Sequence, residues 1–440
     1  MFKPQNKIII VDDNPSHLDT LSKEFYKNGI GCKTFEYDSR YKKPLTGIRI
    51  AFFDININPS GGGSDSQKFT SLATALEQYI SKKNGPFALI FWTQNKDDIE
   101  KFKTHVATRH PNCPKPFITT FIDKDEILDN SVSLETKLKE VLDDEIIRLL
   151  FDFENVAASS AAKTINQIYE IIPKNDNWGN SINFKENFEK IFSKIAVSTL
   201  GIDHAKKMPD KAVYEALIQM LNHQVLNSEH NPKWDALLNS LKTANKGSDI
   251  LSPTDFKESQ LNSIFHIEDK LQKNDERGVV LKMNKTVSII KVSFGQKYTD
   301  WVTGFIPFKK SFKANQKEAN ETAIKTLISS SKLIAIEISS ACDHQQNKSR
   351  LNKYLYGIII DKISAELIDN NAKSDNSMRA GLFYVKNTEF EVWVNLNYVF
   401  GALPSDKRLG KPLFTFKKEM MDMIGNRYAN HVSRIGITSF

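Results

Sequence analysis

Residues 1–150 of this chain alternate between short strand-like runs and segments whose apolar residues recur at helical spacing. Most of the runs consist of Val, Ile, Leu and Phe, which is typical of strands buried on both faces. The predicted strands cover residues 7–11, 31–37, 49–57, 87–92 and 117–122, and a long helix is predicted over 132–151. Because parallel neighbours need crossover connections, the predicted fold class of this region is α/β, a doubly wound parallel (βα)5 sheet.

The rest of the chain changes character twice. Residues 151–272 have mostly helical spacing, and we interpret them as a helical connector or dimerisation region, so a homodimer is one predicted state. Residues 273–440 are β-rich, and a mostly antiparallel barrel or sandwich is predicted there as an output domain. Its predicted strands include 279–283, 286–294, 300–308, 333–340, 354–360, 381–385 and 390–400.

Length and composition agree with several globular regions and argue against a fibrous, disordered or disulfide-rich chain. A chain of 440 residues with 40% hydrophobic and 26% charged residues can bury more than one core and differs from fibrous and disordered chains. The three cysteines form no CxxC pair, which argues against a disulfide framework or a cysteine-rich zinc site and favours a reducing compartment. No stretch approaches 18 apolar residues. We therefore expect a cytoplasmic protein without a membrane span.

Positive charge is concentrated after the first region. Of the formal net charge of +7, residues 1–145 carry −1 and the remainder +8, which is typical of a region with an anionic partner. Nucleic acid is one predicted partner, because lysines with nearby phenylalanines could bind a phosphate backbone and stack on bases. Exposed lysines beside core phenylalanines are the alternative. The residues concerned are Lys309, Lys310, Lys313, Lys317, Lys325, Phe305, Phe308 and Phe312.

Polar residues stand at the carboxyl ends of the predicted strands, where open α/β sheets carry their functional crevice. Asp12 and Asp13 end the first strand, and Asp54 lies in the third. Thr93 follows the fourth strand and Lys124 the fifth. Three converging carboxylates repel one another unless a hard cation joins them, and Mg²⁺ prefers such an oxygen-rich site. A carboxylate beside Mg²⁺, a lysine and a hydroxyl can accept a phosphoryl group.

The strings IIIVDDNP, AFFDINI, LIFWTQ and FIDK, in this order, resemble the receiver domain of two-component response regulators over roughly residues 5–145. The resemblance implies that Asp54 is the phosphoacceptor, Thr93 the switch hydroxyl and Lys124 the cation that pairs with the phosphate. It also implies a metal site, in which Asp13, Asp54 and the main-chain carbonyl of Asn56 bind Mg²⁺ with support from Asp12.

The sequence departs from the family pattern at two positions beside this site. Asp125 follows Lys124 where the family usually has proline, so the placement of the lysine is open and Asp125 could pair with it. Gln94 follows Thr93 where the family commonly has a small residue, and it could shield the phosphoryl group. An active phosphoacceptor and a degenerate receiver used only for docking are therefore both compatible with the sequence.

The most distinctive string of the later region is EISSACDHQQNK, with Cys342, Asp343 and His344 in succession. A metal site or a nucleophilic thiol can be imagined there. Adjacent residues rarely point the same way, and no second Cys/His pair lies nearby to complete a zinc site, so a structural turn is the alternative. No separate catalytic site is identified in the predicted output domain.

Taken together, the sequence predicts a response-regulator-like signalling protein whose output is controlled by phosphorylation of Asp54. The resemblance implies a histidine kinase or a kinase-like ATPase as phosphodonor, and a role in bacterial regulation or phage defence by analogy. The alternatives are a phosphorylation-independent partner-binding scaffold, and a receiver that controls a nucleic-acid binder or an effector enzyme.

Overall fold

The structure is a computed structural model, and it divides the chain into two compact units. The N-terminal unit comprises Met1–Ser160 and Ser228–Asn239, and the C-terminal unit comprises Ala161–Asn227 and Ser240–Phe440. The structure describes residues 7–57, 64–94, 96–128, 133, 136–137, 145–173, 182–250, 252–268, 273–284, 286–340, 351–369 and 376–433. None of the helices in these ranges combines the length and apolarity that a membrane crossing requires.

The N-terminal unit is built on a five-stranded parallel sheet in the order β2-β1-β3-β4-β5. This is a doubly wound order in which the strand sequence reverses between β1 and β3. The predicted α/β class and the parallel sheet are confirmed. Its elements are β1 (Ile8–Asp12), α1 (Pro15–Lys27), β2 (Lys33–Glu36), β3 (Ile50–Phe53), α2 (Asp65–Tyr79), β4 (Ala88–Trp92), α3 (Asp98–Arg109), β5 (Ile118–Ile122) and α4 (Lys124–Leu128).

Both faces of this sheet are covered, which explains the continuous apolar runs. In β1, Ile9 and Val11 pack into one core cluster, and Ile8 and Ile10 pack into a second cluster on the other face. Burying all residues of a strand requires helices on both sides, as in doubly wound folds. Helix α1 begins where the sequence indicates, because the Asn14 side chain accepts a hydrogen bond from the Ser16 N–H (2.9 Å).

A long helix, α5 (Glu145–Ile171), passes from the N-terminal unit into the C-terminal unit. The sequence predicts its end at residue 151, which is wrong: the helix continues for five more turns. The alanine-rich stretch 157–162 has high helix propensity and contains no residue that ends a helix.

The middle of the chain is helical, as predicted. It contains α6 (Ile182–Leu200), α7 (Ile202–Lys207), α8 (Pro209–Leu226), α9 (Lys233–Leu237), α10 (Ser240–Thr243) and a short 3₁₀ turn (Gly247–Asp249). A small core of alanines and Leu200 joins α6, α7 and α8. Close helix packing is possible there because alanine adds little bulk to the interface.

The C-terminal unit contains a seven-stranded sheet that curls into a half-barrel, in the order β10-β11-β9-β8-β7-β12-β6. Every described strand pair in it is antiparallel. The predicted β-rich antiparallel region is confirmed. The strands are β6 (Ile267–Glu268), β7 (Val279–Met283), β8 (Lys332–Glu337), β9 (Asn352–Ile360), β10 (Ser377–Val385), β11 (Thr388–Ala402) and β12 (Leu409–Phe416).

Helices cover both faces of this sheet as well. Leu333 and Ala335 of β8 face one core cluster, and Ile334 and Ile336 face the other. The first cluster is closed by α12, α13 and α14, and the second by α15. The helices of this region are α11 (Glu258–His266), α12 (Thr286–Phe294), α13 (Tyr298–Thr303), α14 (Lys317–Ser330) and α15 (Lys418–Val432), with a 3₁₀ turn at Ala365–Leu367.

Two of the predicted strands, 286–294 and 300–308, are wrong. The first forms α12, and its neighbouring residues Ile289 and Ile290 are both buried, whereas alternate burial would mark a half-buried strand. The second begins with α13, where Trp301 and Val302 are buried. In both cases tertiary packing decides over the β propensity of Val, Ile and Trp.

Strand β12 was not predicted, because Gly410 and Pro412 are typical of a turn. The structure accommodates them through irregular pairing with β7, where the register shifts on both sides of Pro412. Proline occurs in strands at such irregularities because it lacks the N–H donor of the ladder.

Candidate functional site

The carboxyl edge of the parallel sheet brings together residues from neighbouring strands. Asp12 is the last residue of β1, and Asp54 directly follows β3. The strands are in register at Val11 and Phe53, and the Asp54 N–H donates to the Val11 carbonyl (3.1 Å). The two carboxylates are therefore neighbours because of the parallel pairing.

Asp13 completes a cluster of three carboxylates. One oxygen each from Asp12, Asp13 and Asp54 lies within 4.8 Å of the others. Burial raises the pKa of the Asp13 carboxyl, and the adjacent charges of Asp12 and Asp54 raise it further. The donor set consists of oxygen atoms, which fits a hard divalent cation such as Mg²⁺ that keeps several waters.

Lys124, at the start of α4, reaches between two of these carboxylates. Its ammonium donates to Asp54 Oδ2 (2.7 Å) and to Asp12 Oδ2 (3.0 Å). The lysine and Asp54 side chains are each 7% exposed and that of Asp12 is 1% exposed, so water screens these ion pairs little. The sequence-predicted lysine is thus directed into the site without a following proline.

His17 is a member of this site that the sequence analysis missed. Its Nδ1 lies 3.2 Å from Lys124 Nζ and 3.4 Å from Asp12 Oδ1. With the proton on Nε2, Nδ1 accepts from the lysine; with the proton on Nδ1, the ring donates to Asp12 and Nε2 accepts from Asn14 (3.3 Å). In either tautomer His17 joins α1 to the buried charges.

The position of His17 carries a signal that could have identified it. It lies in the first turn of α1, which follows the carboxyl end of β1 after a short loop. In a β-α unit the first helical turn is close to that end of the strand, so its polar residues are candidates for the same crevice.

Asn56 and Thr93 lie beside the cluster. The Asn56 N–H donates to Asp54 Oδ1 (3.0 Å), so the second oxygen of that carboxylate is also held. Thr93 is buried directly after β4, and its N–H donates to the Ile122 carbonyl (3.1 Å). Of the predicted site residues, Asp12, Asp13, Asp54 and Lys124 converge, while Asn56 and Thr93 flank them on the same edge.

Gln94 and Asp125 interact with each other. Gln94 Nε2 donates to Asp125 Oδ1 (2.5 Å), and both side chains are exposed. The alternative in which Asp125 pairs with Lys124 is therefore not what the structure shows. This hydrogen bond instead joins the segment after β4 to the start of α4.

The remaining cysteine and phenylalanine candidates are buried, are partly buried or lie outside the described residues. Cys32 and Cys113 are buried, and burial raises the pKa of the Cys113 thiol to about 12, so neither is placed as a nucleophile. Cys342, Asp343 and His344 lie outside the described residues. Phe305 and Phe308 are core residues, as the alternative to base stacking predicts, and Phe312 is partly buried.

The sequence matches no protein-family profile, and no curated protein is similar enough to match it.

Proposed function

We propose that this protein is a response-regulator-like signalling protein whose N-terminal unit accepts a phosphoryl group on Asp54. The observation that carries this proposal is the buried contact of Lys124 with Asp12 and Asp54, beside Asp13, at the carboxyl edge of a sheet in the order 2-1-3-4-5. A carboxylate with a paired lysine and a cation site has the groups that phosphoryl transfer needs.

The proposed reaction forms one bond and breaks one. A carboxylate oxygen of Asp54 attacks the phosphorus of the donor and forms an acyl phosphate. The bond from phosphorus to the donor breaks, and the leaving group keeps the electron pair. The donor is a phosphohistidine of a histidine kinase, or a phosphorylated group of a kinase-like ATPase.

The residues around Asp54 have separate roles in this reaction. Lys124 pairs with an oxygen of the transferred group, and the Thr93 hydroxyl donates a hydrogen bond to it. Asp12, Asp13 and Asp54, with the main-chain carbonyl of Asn56, would hold Mg²⁺. When bound, Mg²⁺ would neutralise negative charge on the phosphate oxygens.

The proposed route to the output is α5. Glu154 on this helix forms ion pairs with Lys7 (2.8 Å) and Arg49 (2.7 Å), and Phe151 packs against the cluster that contains Ile8 and Ile10. The first turns of α5 are thus held by residues that directly precede β1 and β3, at the ends of these strands opposite to Asp12 and Asp54. A change at the site would be transmitted along the helix, which continues into the C-terminal unit.

Beryllium fluoride tests the proposal, because it mimics an acyl phosphate on a carboxylate. With Mg²⁺ present, beryllium fluoride should raise the melting temperature of the full-length protein, and Asp54→Asn should remove this shift. A ligand present at a hundred times its Kd stabilises by about 2.7 kcal/mol, which is large enough to measure.

Asp19→Asn is a matched control, since Asp19 is an exposed carboxylate of α1 away from the cluster. It should keep the full shift. An equal shift in wild type and Asp54→Asn would contradict the proposed site. Tight binding of a kinase-like partner that is indifferent to Asp54 would instead favour the scaffold alternative.

His17 should position Lys124 for the reaction. His17→Leu is expected to slow phosphoryl uptake about fivefold, the effect of losing one hydrogen bond of about 1 kcal/mol. The melting temperature should change little, because the ring is partly exposed. The initial rate of uptake from acetyl phosphate measures the effect.

His17→Asn separates positioning from simple packing, because it restores a polar group of similar reach. It should recover part of the rate that His17→Leu loses. Equal rates for wild type and His17→Leu would show that Lys124 is held by the carboxylates alone.

A further inference from the structure

The C-terminal unit contains a cavity of about 760 Å³ bordered by α13, α14 and the segment 309–312. This volume lies within the range of pockets that enclose small-molecule ligands. The lining combines an apolar part, a cationic part and several hydroxyl groups. These three parts differ enough in chemistry to restrict the class of ligand.

The cationic part consists of Lys309, Lys310 and Lys325. Within the part of the chain that the structure describes, none of their ammonium groups forms an ion pair or a hydrogen bond. The lining includes one carboxylate, that of Glu321. The cavity therefore has an excess of two positive charges and suits a ligand with several negative charges, such as a polyphosphate.

The apolar part includes the ring of Phe312 together with Ile324 and Ile328. Phe312 also packs against the core cluster of the sheet, so its ring has a fixed support. A supported aromatic ring in a cavity provides a stacking surface for a planar ligand ring. The ligand therefore combines an apolar, planar part with its negative charges.

The hydroxyl groups of the lining restrict the class of ligand further. Thr303 and Ser329 donate their protons to carbonyls of their own helices (3.1 and 2.8 Å), so their oxygens remain as acceptors toward the cavity. Acceptors suit a ligand that carries hydroxyl or amino donors. A sugar and a base carry such donors, whereas a fatty acid chain does not.

We propose that this cavity binds a nucleoside diphosphate or triphosphate. The base stacks on Phe312, the hydroxyl oxygens of Thr303 and Ser329 accept from the sugar or base, and the three lysines bind the phosphates. This site is separate from the phosphoacceptor proposed above, and its ligand would give the C-terminal unit an input of its own. The lysines border a single pocket of about 760 Å³, a volume that fits a mononucleotide better than a continuous nucleic-acid backbone.

Isothermal titration calorimetry of the full-length protein with ATP and with GTP tests the proposal. A metal chelator is included, so that Mg²⁺-dependent binding of nucleotide at the aspartate cluster does not contribute. At least one nucleotide should bind, and adenosine or inorganic tripolyphosphate alone should bind at least about tenfold more weakly, because each lacks one half of the contacts.

Variants locate the binding. Lys325→Gln and Phe312→Leu should each raise the Kd about tenfold, the usual effect of losing one charged hydrogen bond or one stacking contact. Lys411→Gln is the matched control, because Lys411 is exposed on β12 and is not part of the lining. Circular dichroism checks that each variant is folded.

Three results would overturn the proposal. One is the absence of binding by both nucleotides at millimolar concentration. Another is equal affinity for tripolyphosphate and ATP, which would indicate a simple polyanion surface. The third is tighter binding of single-stranded oligothymidylate that depends on the same lysines, which would assign the cavity to nucleic acid.

Discussion

Replacing Asp54 by asparagine should abolish phosphoryl uptake by the N-terminal unit. The amide has the size of the carboxylate but only one acceptor oxygen, so it keeps the hydrogen bond from Lys124 or the one from the Asn56 N–H and not both. Its oxygen does not form a stable acyl phosphate. Loss of the nucleophile typically lowers a rate by about a thousandfold or more. Intact-protein mass spectrometry after incubation with acetyl phosphate and Mg²⁺ measures the covalent product.

The neighbouring carboxylates make this test specific. Asp12 lies on the other side of the Lys124 ammonium and has the same partner, so it is the obvious substitute nucleophile. Peptide mapping of the labelled wild-type protein should place the phosphoryl group on Asp54. Label on Asp12, or undiminished label in Asp54→Asn, would contradict the assigned roles, while Asp19→Asn should be labelled like the wild type.

The convergence of the site residues could be predicted because it follows from topology. Once residues 1–150 are interpreted as alternating strands and helices, the parallel order places Asp12, Asp54 and Lys124 at one edge of the sheet. The strands themselves were clear, since β3 and β4 are apolar throughout and are buried on both faces. No knowledge of side-chain rotamers is needed for this step.

The contacts within the site could not be predicted in the same way. His17 enters the site because of the rotation of α1 about its axis, which depends on how Leu18, Leu21 and Phe25 pack against the sheet. The hydrogen bond between Gln94 and Asp125 joins two exposed residues that are distant in sequence. Such pairings depend on the local path of loops, about which a hydrophobic pattern contains no information.

In the C-terminal unit, the elements that could not be predicted are those whose local propensity differs from the structure they form. Residues 286–294 have the composition of a strand, but they form a helix that covers the sheet at Ile290. Conversely, β12 contains residues typical of turns and is a strand because β7 and β6 pair with it on its two sides. Both cases show packing deciding between structures whose intrinsic preferences differ by about 1 kcal/mol per residue or less.

Removing the charge of Lys124 should produce the largest loss of stability in the N-terminal unit. Lys124→Met keeps most of the side-chain volume but leaves the buried carboxylates of Asp12 and Asp54 without their cation. Breaking a buried ion pair in this way typically costs about 3–5 kcal/mol. Hydrogen–deuterium exchange of the β1 and β3 amides in the full-length protein reports the free energy of opening of this unit.

Two comparisons separate the loss of charge from the loss of a side chain. Lys68→Met removes a partly exposed ion pair with Asp98 (2.6 Å) on α2 and α3, and it should cost about 1 kcal/mol or less. Adding Asp54→Asn to Lys124→Met should restore stability, because one of the uncompensated carboxylates is then gone. If Lys124→Met destabilises the unit no more than Lys68→Met does, the buried charges are hydrated, and the weak screening of the Lys124 ion pairs by water, inferred from their burial, is wrong.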